Sequence, residues 1–413
     1  MPRKTLGITG TIFIGLASML GAGVFVVFRD AYVFSGSWLF AALGLAALVA
    51  ALNSASIYQL ARQVDRPGGT YAYARVYRNE LVSFLAGFAF VFGKIGSIAA
   101  IALVFGEYVA PGQKQAIAVT AILVMVCVNV LGIQRTALVA AVLAITTSGF
   151  LIFTIAVGLN PLAGVARQFA TYYPSLVKLP LEPGWGIVTG ASLIFFAFAG
   201  YARVATLGNE VRDAKRNIPR AIVLSLSIVL AIYLLLALVM THVLGTKLAE
   251  VQAPFTAYFE AIGMNLNWLV IVVAAMASLG SILALLAGVS RTAAEMASDS
   301  ELPKFFEARN RFGSPWVAEV MIAVGASSLV FVGDLSSVIG FSSFSVLFYY
   351  ALAHLSALGQ PRAERLLSPV VQILGFALCL LLALSVPGPA ALFSTLILVV
   401  AIVIRRLFRV ESK

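Results

Sequence analysis

Apolar segments of roughly twenty residues recur along this chain from near residue 7 to residue 408. A helix needs about 20 apolar residues to cross a bilayer core. Inside that core only helices and closed barrels satisfy the backbone, since no water is there to bond freed N–H and C=O groups. Composition points the same way: 61% of residues are hydrophobic and 11% charged, with a mean hydropathy of +1.00. Soluble domains carry about 25% charged residues. The pattern predicts an all-α polytopic membrane protein with spans at 7–34, 38–61, 81–108, 115–133, 136–158, 187–210, 220–244, 266–290, 315–333, 336–357, 367–386 and 389–408. No sizeable soluble domain is left over. Arg3 and Lys4 lead straight into an apolar segment too long for the core of a cleavable signal.

Basic residues set the orientation, because loops on the cytoplasmic side carry the excess of Lys and Arg. With the N-terminus inside, twenty-two of the 28 Lys and Arg residues fall on inward ends and loops. Five fall outward (Arg29, Lys114, Arg167, Lys178 and Lys247), and Lys94 lies within a span. Both termini are then cytoplasmic in a plasma-membrane protein. The net charge of +11 is explained by topology, so nucleic acid is not an expected partner; the lipid bilayer is. Cys127 and Cys379 both fall in apolar spans, and His242 and His354 have no acidic or cysteine neighbours. Neither a metal nor a cofactor is expected. The spans hold no acid–base cluster for an enzyme and almost no charged or amide rings for a channel filter, so a channel is the alternative from another class.

Two spans are interrupted. The first carries Gly21-Ala22-Gly23 at mid-membrane, although glycine costs about 1 kcal/mol relative to alanine in a helix interior. The sixth carries Gly200 among aromatics in "FFAFAGYARVATLGNE". These spans start on opposite sides of the membrane, five spans apart. Interrupted helices at corresponding places in halves of opposite topology point to a transporter binding site. Freed N–H groups at a half-helix start attract a carboxylate, and freed carbonyls at the preceding end attract an ammonium. A substrate carrying both charges, an α-amino acid, is the expected ligand.

These same segments resemble the amino acid–polyamine–organocation superfamily of permeases. "MLGAGVF" is similar to its first-helix motif, and "RPGGTYAYAR" (Arg66 to Arg75) to its loop after the second helix. "FFAFAGYARVATLGNEVRDAKRNIPRA" (Phe195 to Ala221) resembles its sixth helix and following loop, and "SRTAAEMASDSELPKFF" (Ser290 to Phe306) its eighth-to-ninth loop. The resemblance implies a LeuT-like five-plus-five inverted repeat working by alternating access. Residues 1–158 would form the first repeat, 159–186 an external loop, 187–357 the second repeat, and 358–413 the last two spans and a cytoplasmic tail. It implies that the substrate carboxylate meets Ala22 and Gly23, beside Gly21. The amino group would meet carbonyls of Met19, Phe196 and Ala199, with Ala197 and Gly200 completing the sixth-helix segment. Phe196 stands where the family often places an aromatic gate, and Ser97 at a position that faces the substrate. Glu210, near Arg203, Arg212 and Arg216, is a candidate cytoplasmic gate.

Three residues depart from the family pattern. Gln59 replaces a common glutamate in the second span. Thr147 stands where several sodium-independent members have lysine. In the eighth span Ser278 and Ser281 flank Leu279 and Gly280, which occupy positions where sodium-driven relatives supply hydroxyl ligands. Proton coupling or exchange is therefore expected rather than sodium coupling, with neutral amino acids as substrates and polyamines or other organic cations as the alternative. Lys94 lies about 20 Å along its helix at 1.5 Å per residue, near the bilayer centre, where lysine costs at least about 2.5–3.5 kcal/mol. It precedes Ser97 by one turn on the same face. Pointing into the core, its ammonium would bond freed carbonyls of the first or sixth helix, substituting for a bound cation and serving as a candidate proton carrier.

Overall fold

The computed structural model describes residues 6–64, 68–131, 142–159, 184–201, 204 and 211–411, and the secondary structure among them is helical apart from one isolated bridge between Leu6 and Val211. The first span is two helices, α1 (Ile8–Met19) and α2 (Val27–Ser35), joined by an extended Gly21 and a single 3₁₀ turn at Ala22–Phe25. Then come α3 (Leu39–Ala61), a short α4 (Thr70–Tyr77), α5 (Glu80–Val109), α6 (Lys114–Val130) and α7 (Val142–Leu159). In the second half, α8 (Gly186–Phe198) runs into a 3₁₀ turn at Ala199–Tyr201. It is followed by α9 (Ala214–Leu244), a short α10 (Pro254–Ala261), α11 (Asn267–Ser298), α12 (Trp316–Val332) and α13 (Leu335–Leu358). The last two helices are α14 (Pro369–Leu384) and α15 (Ala390–Glu411).

Nine helical stretches among the described residues are long and apolar enough to cross a bilayer. Gly186–Tyr201, Trp316–Val332 and Pro369–Leu384 are apolar but shorter. The sixth span was expected over 187–210 with an interruption at Gly200, and regular α-helix indeed stops at Phe198, just before that glycine. The expected gate residue Glu210, its neighbour Arg203 and most of the external loop at 159–186 lie outside the described residues. Two helices overrun their apolar windows. α9 starts at Ala214, six residues early, and α11 continues to Ser298 through "RTAAEMAS". The α11 extension is rich in good helix formers and so continues the helix beyond the apolar stretch, whereas that of α9 opens with Ala214, Lys215 and Arg216 and carries Pro219 within the helix.

α5 is the central post, packed along α11 and α13. Gly93 and Gly96 let it approach α13 closely: a Cβ at either would press on Ser345 and Val346, or on Phe341 and Ser342. Small residues at such contacts are how membrane helices reach short separations. Gln59, the departure noted in the second span, is structural. Its carbonyl oxygen accepts the backbone N–H groups of Leu366 and Leu367, and its amide donates to Gln360 at 2.6 Å.

The two loop motifs singled out in the sequence meet each other. Arg75 on α4 pairs with Asp299, just past the end of α11, at 2.9 Å, and the Tyr71 hydroxyl donates to the same carboxylate at 2.7 Å. Burial first, and then this hydrogen bond, push the Tyr71 phenol above its ordinary value, so it remains a donor. Nearby, Arg405 of α15 grips Glu301 through two bonds of 2.6 and 2.9 Å.

Candidate functional site

The first interruption follows from its residues. Leu20 leaves helical geometry (φ −83°, ψ 28°), Gly21 is extended (ψ −162°), and Ala22 begins a new turn. At a helix start the first N–H groups have no intrahelical acceptor, which frees those of Ala22 and Gly23. Gly21 is needed for close approach, since a Cβ there would collide with Ser281 Oγ on α11. The second interruption leans on the first: a Cβ on Gly200 would run into the backbone of Ser18 and Met19. The two broken helices therefore touch, backbone to backbone, where both have lost their helical bonds.

A cavity of about 130 Å³ opens at this junction, several times the roughly 10–15 Å³ that one water requires on this measure. Met19, Gly21, Ala22, Gly23, Lys94, Ser97, Thr147, Phe196, Ala197, Gly200 and Ser281 all line it. Among the expected site residues, only Ala199 and the undescribed Glu210 are missing from that wall. Ala199 nevertheless contributes its carbonyl oxygen, which accepts from Lys94 Nζ at 3.4 Å. Phe196 lays its ring over Gly23, whose added Cβ would stand 3.1 Å from the ring edge. The Ser97 hydroxyl lies 3.2 Å from the Gly93 carbonyl and shares a 2.7 Å hydrogen bond with the Ser342 hydroxyl.

Several functional groups escaped the sequence reading. Tyr233 of α9 is fully buried, and its hydroxyl donates to the Met19 carbonyl at 2.7 Å while standing 3.4 Å from the Ala197 carbonyl. One phenol thus serves the frayed ends of both interrupted helices. Tyr108 of α5 does the same on the far side of the break, donating to the Phe25 carbonyl at 2.9 Å. A hydroxyl in an otherwise aliphatic span such as "VLAIYLLLAL" needs a buried partner, and that signal was available.

A cluster of aromatic rings stands on the α2 side of the break. Phe25 packs against Phe255 of α10 at 4.8 Å, Tyr108 at 5.8 Å and Phe150 of α7 at 6.0 Å between ring centroids. The cavity wall runs past Ile14, Leu143, Asn129 and Val289, towards the face of the bundle that holds the start of α1.

Residues 6–405 match the family profile described as amino acid permease. An uncharacterized transporter of Mycobacterium tuberculosis is 42% identical over 402 residues, covering 93% of this chain and 87% of the relative. Cationic amino acid transporter 7, chloroplastic, of Arabidopsis thaliana is 25% identical over 380 residues, or 85% of this chain and 65% of that protein. Among solved structures, a Na⁺-coupled sialic acid symporter in a substrate-bound, outward-open state superposes with a TM-score of 0.59 at 12% identity, covering 94% of this chain and 90% of its own.

Proposed function

Because the chain belongs to the amino acid permease family and is a multi-pass membrane transporter, we propose that it is a secondary active amino-acid permease of the plasma membrane, with both termini in the cytoplasm. Residues 1–158 and 187–357 form its inverted repeats, and the last two of its twelve spans stand outside them. The substrate binds in the cavity between the broken helices. Its carboxylate faces the N–H groups of Ala22 and Gly23, and its amino group faces the carbonyls at the ends of α1 and α8. The observation that carries this reading is the direct contact of the two interruptions, Gly200 on the Ser18–Met19 backbone, around a cavity lined by Gly21, Ala22 and Gly23. The cavity wall continues past Ile14 towards the start of α1, which suits an inward-facing step of alternating access, and Glu210 is a candidate cytoplasmic gate.

Transport is independent of sodium, driven by protons or by exchange. A fixed cation, Lys94, already holds the Ala199 carbonyl, while Ser281 and Thr147 are the hydroxyls that α11 and α7 bring to the wall. Two hydroxyls are few for a hard cation that prefers several oxygen ligands. Reconstitution into proteoliposomes tests this. Uptake of labelled amino acids should saturate with concentration and persist when choline replaces sodium. Uptake that requires sodium would refute the coupling, and no saturable uptake of any amino acid would refute the function.

A further inference from the structure

Recognition of an amino acid by backbone groups leaves one charged wall side chain with donors to spare. Lys94 is 6% exposed, lines the cavity, and has three N–H donors but a single long bond, 3.4 Å to the Ala199 carbonyl. Among the described residues no carboxylate lies within ion-pair distance of it. The other polar side chains of the wall are Ser18, Ser97, Asn129, Thr147 and Ser281, all uncharged. A buried charge without a counter-ion is unfavourable, and a cleft walled in low dielectric with one sign of charge concentrates ligands of the opposite sign.

The position of Lys94 sharpens the point. The Ala199 carbonyl it holds is among those proposed for the substrate's α-ammonium, so a second ammonium arriving there meets a like charge at one oxygen. A substrate with a cationic side chain brings yet another positive group and finds no acid among the described lining residues. A substrate with a second carboxylate supplies the counter-ion that Lys94 lacks. We propose that the site selects amino acids bearing an acidic side chain, and that Lys94 is the residue that pairs with that carboxylate. The proposal rests on the permease reading above. It separates this chain from the plant relatives, whose names specify cationic amino acids.

Thermal-shift titrations of the purified protein with L-glutamate, L-aspartate, L-glutamine, L-alanine and L-arginine test it, because a ligand that binds the native state raises the unfolding temperature. Glutamate or aspartate should act at concentrations at least tenfold below glutamine or alanine, and arginine should give no shift. Lys94→Met should bring the ratio of glutamate to glutamine close to one, whereas Lys94→Arg should keep the preference. Stronger shifts by alanine, glutamine or arginine in the wild type would overturn acidic selectivity while leaving the permease reading intact. An unchanged preference in Lys94→Met would overturn the assignment to Lys94. No shift by any of the five would overturn both readings. Should Lys94→Met fail to fold, the wild-type ranking and Lys94→Arg decide.

Discussion

Tyr233 makes the two helix breaks tolerable at membrane depth. The carbonyls at the ends of α1 and α8 have lost their helical donors, and in a bilayer no bulk water replaces them. Its hydroxyl satisfies Met19 at 2.7 Å from a fully buried position. Tyr233→Phe keeps the ring, which packs edge-on against Phe28 at 5.7 Å, and removes only the donor. Leaving a buried acceptor unsatisfied costs about 1–3 kcal/mol. The variant should therefore show a lowered unfolding temperature in detergent together with weaker substrate binding, measured in the same thermal titrations. A variant as stable and as avid as the wild type would mean that the phenol does not support the break.

At the scale of elements, two ionic contacts on the α4 and α15 side differ sharply in enclosure, and their energies should follow. Arg405 and Glu301 form a bidentate pair with side chains 10% and 0% exposed, and Arg405 also lies over the Phe84 ring at 5.1 Å. Removing one partner of a buried pair strands the other, at about 3–5 kcal/mol. Arg75 and Asp299 are 27% and 36% exposed, so water already screens them and the pair is worth about 0–1 kcal/mol. Unfolding temperatures should then fall strongly for Arg405→Ala and barely for Asp299→Asn. Equal losses would show that the α4–α11 tie is as structural as the α15 clamp.

Over the whole molecule, what the sequence made legible tracks how local the physics is. Span positions came through because twenty apolar residues in a row leave few alternatives, and α5, α12 and α13 fall within a residue or so of their expected ends. The breaks at Gly21 and Gly200 were legible because glycines stand at corresponding places in two spans of opposite topology. Non-local features were not. Nothing in the order of residues says that Tyr233 reaches Met19, more than two hundred positions away, or that Arg75 meets Asp299. The short α10, whose Phe255 packs on the Phe25 ring, was hidden because its apolar stretch is too brief to register as a span.

In the proposed mechanism the substrate crosses through the junction of the two broken helices. Gly23 sits there with the Phe196 ring edge only 3.1 Å from where a Cβ would stand, so a branched side chain fills the approach to the Ala22 and Gly23 N–H groups. The direct measurement is saturable amino-acid uptake by Gly23→Val in proteoliposomes, alongside its unfolding temperature. The expected variant inserts and unfolds within a few degrees of the wild type yet loses at least a hundredfold in uptake. A folded Gly23→Val protein that transports at the wild-type rate would contradict this route.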